Sequence, residues 1–111
     1  MQARINGIMM NYQVDGAEGA PPVILHHPLA TDLTIWDELV ASLKNDYRLV
    51  RFDARGHGET EAPAGPYDLP GLARDVIALM DHLNIKTAAY IGVSMGGMIG
   101  QHLAVDHGDR F

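Results

Sequence analysis

The first apolar stretches of the chain fit short strands. Ala3–Ile5 and Ile8–Val14 flank Asn6-Gly7, a dipeptide that favours the positive φ angles of a two-residue hairpin loop. A loop over 15–22, rich in Gly, Ala and Pro, precedes Val23–His27, whose first three residues are apolar without alternation. Such a run is typical of a strand buried on both faces of a parallel sheet. The pattern therefore predicts an antiparallel hairpin followed by a central strand.

The rest of the chain alternates helical and strand patterns. Thr31–Thr34 offer helix caps, and apolar residues then recur at helical spacing from Ile35 to Leu43. The later predicted elements are a strand of alternating pattern at Tyr47–Phe52, a loop over 53–70, a helix over Leu72–Leu83 stopped by Asn84, a strand at Ala88–Val93 and a helix over Met95–Val105. This order predicts the α/β class, with a mainly parallel sheet flanked by helices and an antiparallel first hairpin.

The junction between the last predicted strand and helix carries the strongest chemical signal. The segment Gly92-Val93-Ser94-Met95-Gly96 matches Gly-x-Ser-x-Gly, the pattern of a nucleophilic serine on a sharp strand-to-helix turn. A serine at such a tip needs minimal side chains two residues on either side, because strand and helix approach closely there. The alternative is a glycine-rich turn with an incidental serine. The apolar strand before the motif and the helical spacing after it favour the nucleophile.

Composition narrows the possible functions. The 111 residues carry a formal net charge of −6, no cysteine and 47% hydrophobic residues, as expected for one globular, cytoplasmic unit. The acidic balance argues against a nucleic-acid partner, since affinity for nucleic acid depends on neutralising phosphates. No signal-peptide core or membrane span is recognisable, and the lack of cysteine excludes disulfides and thiolate metal sites.

Three motifs in order carry a family resemblance. They are Pro28-Leu29 with 32–36 after the third strand, 51–58 after the fourth, and 92–97 after the fifth. On these motifs the chain resembles the N-terminal portion of the α/β-hydrolases. It is most like the 3-oxoadipate enol-lactonases, which also have stretches similar to Gly65-Pro66-Tyr67 and Gly71–Val76. The likeness covers nearly the whole chain and is more specific to the superfamily than to a substrate.

The resemblance implies hydrolysis of a small ester or lactone by a Ser-His-Asp triad, without a cofactor. Ser94 matches the nucleophile, and Gly92 and Gly96 match the elbow glycines. The backbone N–H groups of Leu29 and Met95 match the oxyanion hole. Pro28 stands where many members of the superfamily have glycine, but the donor needed is the amide of Leu29.

The resemblance also indicates parts that the 111 residues do not supply. Residues 1–111 match a single partial core, the first five strands up to the nucleophile helix, whereas the family has further strands, a cap and a downstream acid and histidine. None of the six histidines matches the catalytic one. The strand Ala88–Val93 is interior in the family and would here be an exposed apolar edge. We therefore expect a split or cleaved hydrolase, in which a complementary C-terminal chain supplies Asp and His.

Several other residues allow two interpretations. Asp53 could be a catalytic carboxylate at the sheet edge, but we favour a structural role in which its carboxylate orders its own loop. Arg55 is predicted to belong to the same loop network. His26 and His27 could line the site, although structural hydrogen bonding is favoured. Trp36 fits core packing better than a pocket floor. The methionines at positions 9, 10, 95 and 98 fit gap-filling core roles.

Other classes of site find little support in the sequence. His102 and His107 do not form a compact set of metal ligands, and Gly56-x-Gly58 is too short for a nucleotide fingerprint. Within enzymes, a related esterase, perhydrolase or carbon–carbon bond hydrolase shares the same elbow. From another class, a catalytically incomplete binding or interaction fragment keeps the sheet without the chemistry.

Overall fold

The computed structural model describes residues 1–111 and begins with the predicted hairpin. Strand β1 (Gln2–Ile5) pairs antiparallel with β2 (Ile8–Asp15). Asn6 and Gly7 have φ angles of 50° and 82°. Positive φ at both central residues defines the tight hairpin turn that the sequence predicts.

Three further strands complete one five-stranded sheet in the order β1-β2-β4-β3-β5. Strand β4 (Arg48–Phe52) pairs antiparallel with β2, and β3 (Pro22–His26) pairs parallel with both β4 and β5 (Ala89–Gly92). The α/β prediction is therefore confirmed, with β5 at the open edge of the sheet. Arg51, a polar position in the alternating pattern of β4, is buried and forms ion pairs with Asp15 and Asp37.

The helices follow the predicted order, and the first two begin at shifted positions. A 3-10 helix (Leu33–Trp36) capped by the Asp32 side chain precedes α1 (Asp37–Leu43). Helix α2 (Leu69–His82) begins three residues before the predicted start, because the Asp68 carboxylate accepts the N–H of Gly71 and a proline occupies the first turn. Asn84 stops this helix with a φ of 57°. Helix α3 (Met95–Asp106) begins within the serine motif, at the predicted residue.

Both faces of the sheet are covered. Alternate residues of β3 enter two hydrophobic clusters: Ile24 packs with the α2 and α3 side, and Val23 and Leu25 pack with Trp36 and Val40. Trp36 is therefore a core residue, as predicted. No helix of the chain is long and apolar enough to cross a membrane.

One predicted core residue of α3 is wrong. Met98 is 47% exposed, whereas Met95, Ile99 and Leu103 are buried. The three buried residues are spaced by four, so they form one stripe that faces the sheet. Met98 lies one residue out of phase with this stripe.

Candidate active site

The serine motif forms a strained turn between β5 and α3. Strand β5 ends at Gly92, helix α3 begins at Met95, and Ser94 between them is exposed with φ 55° and ψ −114°. A non-glycine residue at positive φ stores strain, which persists only where the surroundings impose it. The geometry presents the Ser94 hydroxyl at the carboxyl edge of the sheet.

Two glycines allow this turn to close. A Cβ on Gly92 would overlap the backbone of Gly96, and a Cβ on Gly96 would overlap the carbonyl oxygen of His26 at the end of β3. The residues two positions before and after Ser94 must therefore be small, as predicted, because backbone atoms lie where a Cβ would be. Gly97 differs, because its Cβ would lie 3.5 Å from the nearest atom, the carbonyl oxygen of Gly92.

An aromatic side chain that the sequence analysis did not single out supports the same turn. The Tyr90 hydroxyl donates a 2.6 Å hydrogen bond to the carbonyl oxygen of Gly96, in the first turn of α3. Its ring also lies against Gly100, where a Cβ would come within 2.8 Å of the ring. Burial raises the pKa of the Tyr90 hydroxyl. This side chain therefore stays protonated and ties α3 to β5.

The loop after β3 lies beside the serine turn. Strands β3 and β5 are paired in register with His26 opposite Gly92, and the N–H of Val93 donates to the His26 carbonyl at 3.3 Å. Leu29 follows in this loop with its side chain 65% exposed. The backbone N–H groups of Leu29 and Met95 have no acceptor within the chain. These two unpaired N–H groups therefore follow the ends of two neighbouring parallel strands, at the sheet edge that carries Ser94.

The two adjacent histidines at the end of β3 are fully buried and bonded to backbone. The His26 ring packs edge-on against Phe52 at 4.9 Å, and its Nδ1 lies 3.0 Å from the His27 carbonyl oxygen. His27 Nδ1 lies 2.7 Å from the carbonyl oxygen of Pro28, while its Nε2 accepts the N–H of Ala54 at 2.9 Å. The structural interpretation of this pair is therefore the one that the geometry supports.

Burial keeps His26 neutral. Desolvation, helped by the neighbouring His27 and His57, lowers the pKa of His26 from 6.5 to about 4, although the hydrogen bond to the His27 carbonyl acts in the opposite direction. Its Nε2 is buried without a hydrogen-bond partner. Protonation would place an uncompensated charge behind the serine turn.

The free energy of unfolding is therefore expected to fall as the pH drops from 6.5 to about 4. Above pH 6.5 His26 is neutral in both states, whereas below it the unfolded chain binds a proton that the folded chain refuses. The slope from this residue approaches about 1.4 kcal/mol per pH unit. Urea unfolding at several pH values measures it, and His26→Asn should flatten the slope. Equal slopes in both proteins would contradict the assignment.

Asp53 orders its own loop, as the favoured interpretation predicts. Its buried carboxylate accepts the backbone N–H groups of Leu33 and Glu59 at 2.8 and 2.9 Å, and the side-chain amide of Asn11 at 2.9 Å. A Cβ on Gly58 would overlap this carboxylate, so the loop wraps closely around it. With its oxygens engaged by three donors, Asp53 is a structural anchor.

The prediction for Arg55 is wrong. Its guanidinium forms two hydrogen bonds, each 2.9 Å long, with the buried carboxylate of Asp75 on α2, and none with Asp53. The side chain of Asn6 also donates to Asp75, at 2.7 Å. Arg55 therefore ties its loop to α2 and to the hairpin turn. The bonds to Asp75 raise the pKa of Arg55.

The histidines on and after α3 are not part of a metal-binding group of side chains. His102 and His107 do not join other residues into a group of three or more His, Cys, Asp or Glu side chains that could hold a metal ion. Ser94 likewise has no hydrogen bond to a histidine ring: the rings of His26, His27 and His57 bond to backbone atoms. The described residues thus bring together a serine and two amides, without a base.

Comparison with known proteins places this geometry in context. A family model described as "alpha/beta hydrolase fold" matches residues 21–111. Among curated proteins, 3-oxoadipate enol-lactonase 2 of Acinetobacter baylyi is 40% identical over 94% of this chain, and 3-oxoadipate enol-lactonase 1 of the same organism is 37% identical over 95%. The chain spans 39% of the length of each of these relatives.

A solved structure shows the same arrangement of elements. The enol-lactonase from Burkholderia xenovorans LB400 superposes with a TM-score of 0.97 and 44% sequence identity, over 100% of this chain and 44% of that one. Two relatives and this structure therefore agree with the resemblance that the three motifs carry.

Proposed function

The chain belongs to the α/β-hydrolase family, and on this basis we propose that it carries the nucleophile of a serine hydrolase acting on a small ester or lactone. The Ser94 oxygen attacks the substrate carbonyl and gives its proton to a base. The tetrahedral intermediate collapses to an acyl-enzyme as the alkoxy or enol oxygen leaves and takes up the proton. Water then hydrolyses the acyl-enzyme and restores Ser94.

The observation that carries this proposal is the conformation of Ser94. An L-residue at φ 55° between a strand and a helix is costly, and two glycines with no room for a Cβ make it possible. A turn without a chemical role has no need for a serine at this position. The strain is explained if the hydroxyl must stand free at the sheet edge.

We propose that Leu29 and Met95 form the oxyanion hole through their backbone N–H groups. Support comes from the lack of any acceptor for either amide within the chain. Such donors stabilise the negative oxygen of the tetrahedral intermediate, and removing one costs about 3 kcal/mol of transition-state stabilisation in serine hydrolases. Pro28 has no N–H to donate, but it lies one residue before the required donor.

We propose that a complementary hydrolase segment supplies the triad Asp and His, either further along the same polypeptide or on a second chain. Two observations support it. No histidine of the chain bonds to Ser94, and a serine hydroxyl without a base is a weak nucleophile. Strand β5 pairs with β3 on one side only; Ile91 within it is 39% exposed and Val93, just after it, is 47% exposed. An added strand would cover this apolar edge.

The intact masses of the polypeptides in an active preparation test the source of the base. We expect either a longer polypeptide that includes these 111 residues or an equimolar second chain. Ester turnover by a preparation that contains only the 12.1 kDa chain would contradict the need for a complementary segment.

For the substrate class we propose a lactone, following the three enol-lactonases to which the chain is similar. The test compares kcat/KM for an enol-lactone, a saturated γ-lactone and p-nitrophenyl acetate. We expect the enol-lactone to exceed the acetate ester by roughly tenfold or more. Faster turnover of the acetate ester would keep the reaction and replace the substrate class. Failure to turn over any of the three would favour a binding protein without catalysis.

A further inference from the structure

The hydrogen bonds around Pro28 bear on a neighbouring group, the amide of Leu29. The carbonyl oxygen of Pro28 accepts two of them: one from Nδ1 of His27 and one from the Thr31 hydroxyl, each 2.7 Å long. The Thr31 oxygen also lies 3.4 Å from His27 Nδ1, so both donors approach the same carbonyl from adjacent positions. A loop carbonyl held by two side chains is fixed in direction.

The partners of His27 define its protonation state. A carbonyl oxygen can only accept, so Nδ1 carries the proton; a backbone N–H can only donate, so Nε2, which faces the N–H of Ala54, carries none. Burial lowers the pKa of His27, as does the nearby His57, whereas the hydrogen bond to the Pro28 carbonyl and the charges of Asp53 and Asp32 raise it. The ring is thus neutral at pH 7 in the one tautomer that satisfies both partners.

Peptide geometry transmits this restraint to Leu29. The Pro28–Leu29 peptide bond is trans. In a trans peptide the C=O and the following N–H are coplanar and point in opposite directions. Fixing the Pro28 carbonyl therefore fixes the direction of the Leu29 N–H, which has no acceptor within the chain.

We propose that His27 and Thr31 are positioning residues for the oxyanion hole, because their two hydrogen bonds to the Pro28 carbonyl hold the Leu29 N–H in the direction that the oxyanion needs. This inference rests on the proposed function, since it assigns a purpose to the free amide. Neither side chain touches the substrate. Each acts through the orientation of one peptide plane.

Thr31 offers a matched pair of variants. Thr31→Val keeps the shape of the side chain and removes the donor, whereas Thr31→Ser keeps the donor. We expect Thr31→Val to lower kcat about tenfold with little change in KM, because the bound substrate carries no oxyanion and the charge develops only on the way to the tetrahedral intermediate. Thr31→Ser should keep kcat within about twofold of the parent. An unchanged kcat in Thr31→Val would overturn the inference.

His27 separates positioning from simple anchoring of the loop. His27→Asn retains a donor near the position of Nδ1, and His27→Gln retains an acceptor near that of Nε2 for the Ala54 N–H. If His27 positions Leu29, the Asn variant keeps more of kcat than the Gln variant. If His27 only anchors Ala54, the order is reversed, and the inference is overturned. Urea unfolding of both variants shows how much of each loss comes from reduced stability.

Nuclear magnetic resonance provides a readout that does not depend on turnover. Long-range ¹H–¹⁵N correlations at pH 7 should show His27 protonated at Nδ1 and unprotonated at Nε2, and Thr31→Val should shift the Leu29 amide. The opposite tautomer, or an unmoved Leu29 amide, would overturn the inference.

The activity measurements use the active protein. If Ser94→Ala abolishes turnover and Thr31→Val does not reduce it, this inference fails while the proposed function stands; a parent protein without hydrolase activity removes both.

Discussion

Ser94→Ala is expected to lower kcat for ester or lactone hydrolysis by roughly 10⁶-fold, the loss typical of a serine nucleophile that acts as a unit with its base. The residue is exposed and its side chain makes no capping hydrogen bond to α3, so the fold should be unaffected. Initial rates on a lactone, with the enzyme concentration set by absorbance, measure the effect. Residual activity above about 1% of the parent would contradict a nucleophilic role.

The chain offers a matched control for this substitution. Ser42, the only other serine, is exposed on α1, and Ser42→Ala should leave kcat unchanged. A second variant, Ser94→Gly, tests the strain at φ 55°. Glycine adopts positive φ freely, so this variant should be about 1 kcal/mol more stable than the parent while being equally inactive. A gain in stability together with the loss of activity is the signature of a strained functional residue.

Gly96→Ala is expected to destabilise the protein by about 3 kcal/mol, because the added Cβ would overlap the carbonyl oxygen of His26. Relief of this overlap requires α3 to move away from the end of β3. A displacement of about 1 Å at Ser94 costs roughly 10²-fold in kcat. Urea unfolding and steady-state kinetics measure the two effects.

The neighbouring glycine is the control for helix propensity. The Cβ of Gly97→Ala would make only ordinary contact, 3.5 Å from the Gly92 carbonyl oxygen. Since alanine favours helix over glycine by about 1 kcal/mol, Gly97→Ala should be neutral or stabilising. An equal loss of stability in both variants would contradict the explanation that the close approach of β3 and α3 excludes a Cβ at position 96.

The parts of the fold that the sequence predicts well are those set by local chemistry. Asn6-Gly7 specifies a hairpin turn without help from distant residues, and Asn84 stops α2 in the left-handed conformation that asparagine tolerates. The elbow is also local, because the glycines around Ser94 mark a turn in which strand and helix nearly touch. These features are encoded within five or six residues of chain.

The parts that sequence reasoning missed depend on contacts between distant segments. Arg55 meets Asp75 twenty residues along the chain, and no local pattern favours that partner over Asp53. Met98 fits a helical stripe in sequence, yet the phase of α3 against the sheet leaves it exposed. The same holds for the two hydrogen bonds that the Pro28 carbonyl accepts from His27 and Thr31. Its donors are visible in the sequence, but their shared acceptor appears only when the loop is folded.

The central claim, that Ser94 is the nucleophile, is tested most directly by covalent labelling of the active protein with a fluorophosphonate. Intact mass should show one phosphonate per active site, and peptide mapping should place it on the peptide that carries Ser94. Lactone turnover should be lost at the same rate as the label is incorporated, and Ser94→Ala should not be labelled. Turnover that continues with Ser94 fully modified, or a label on another residue, would contradict the account.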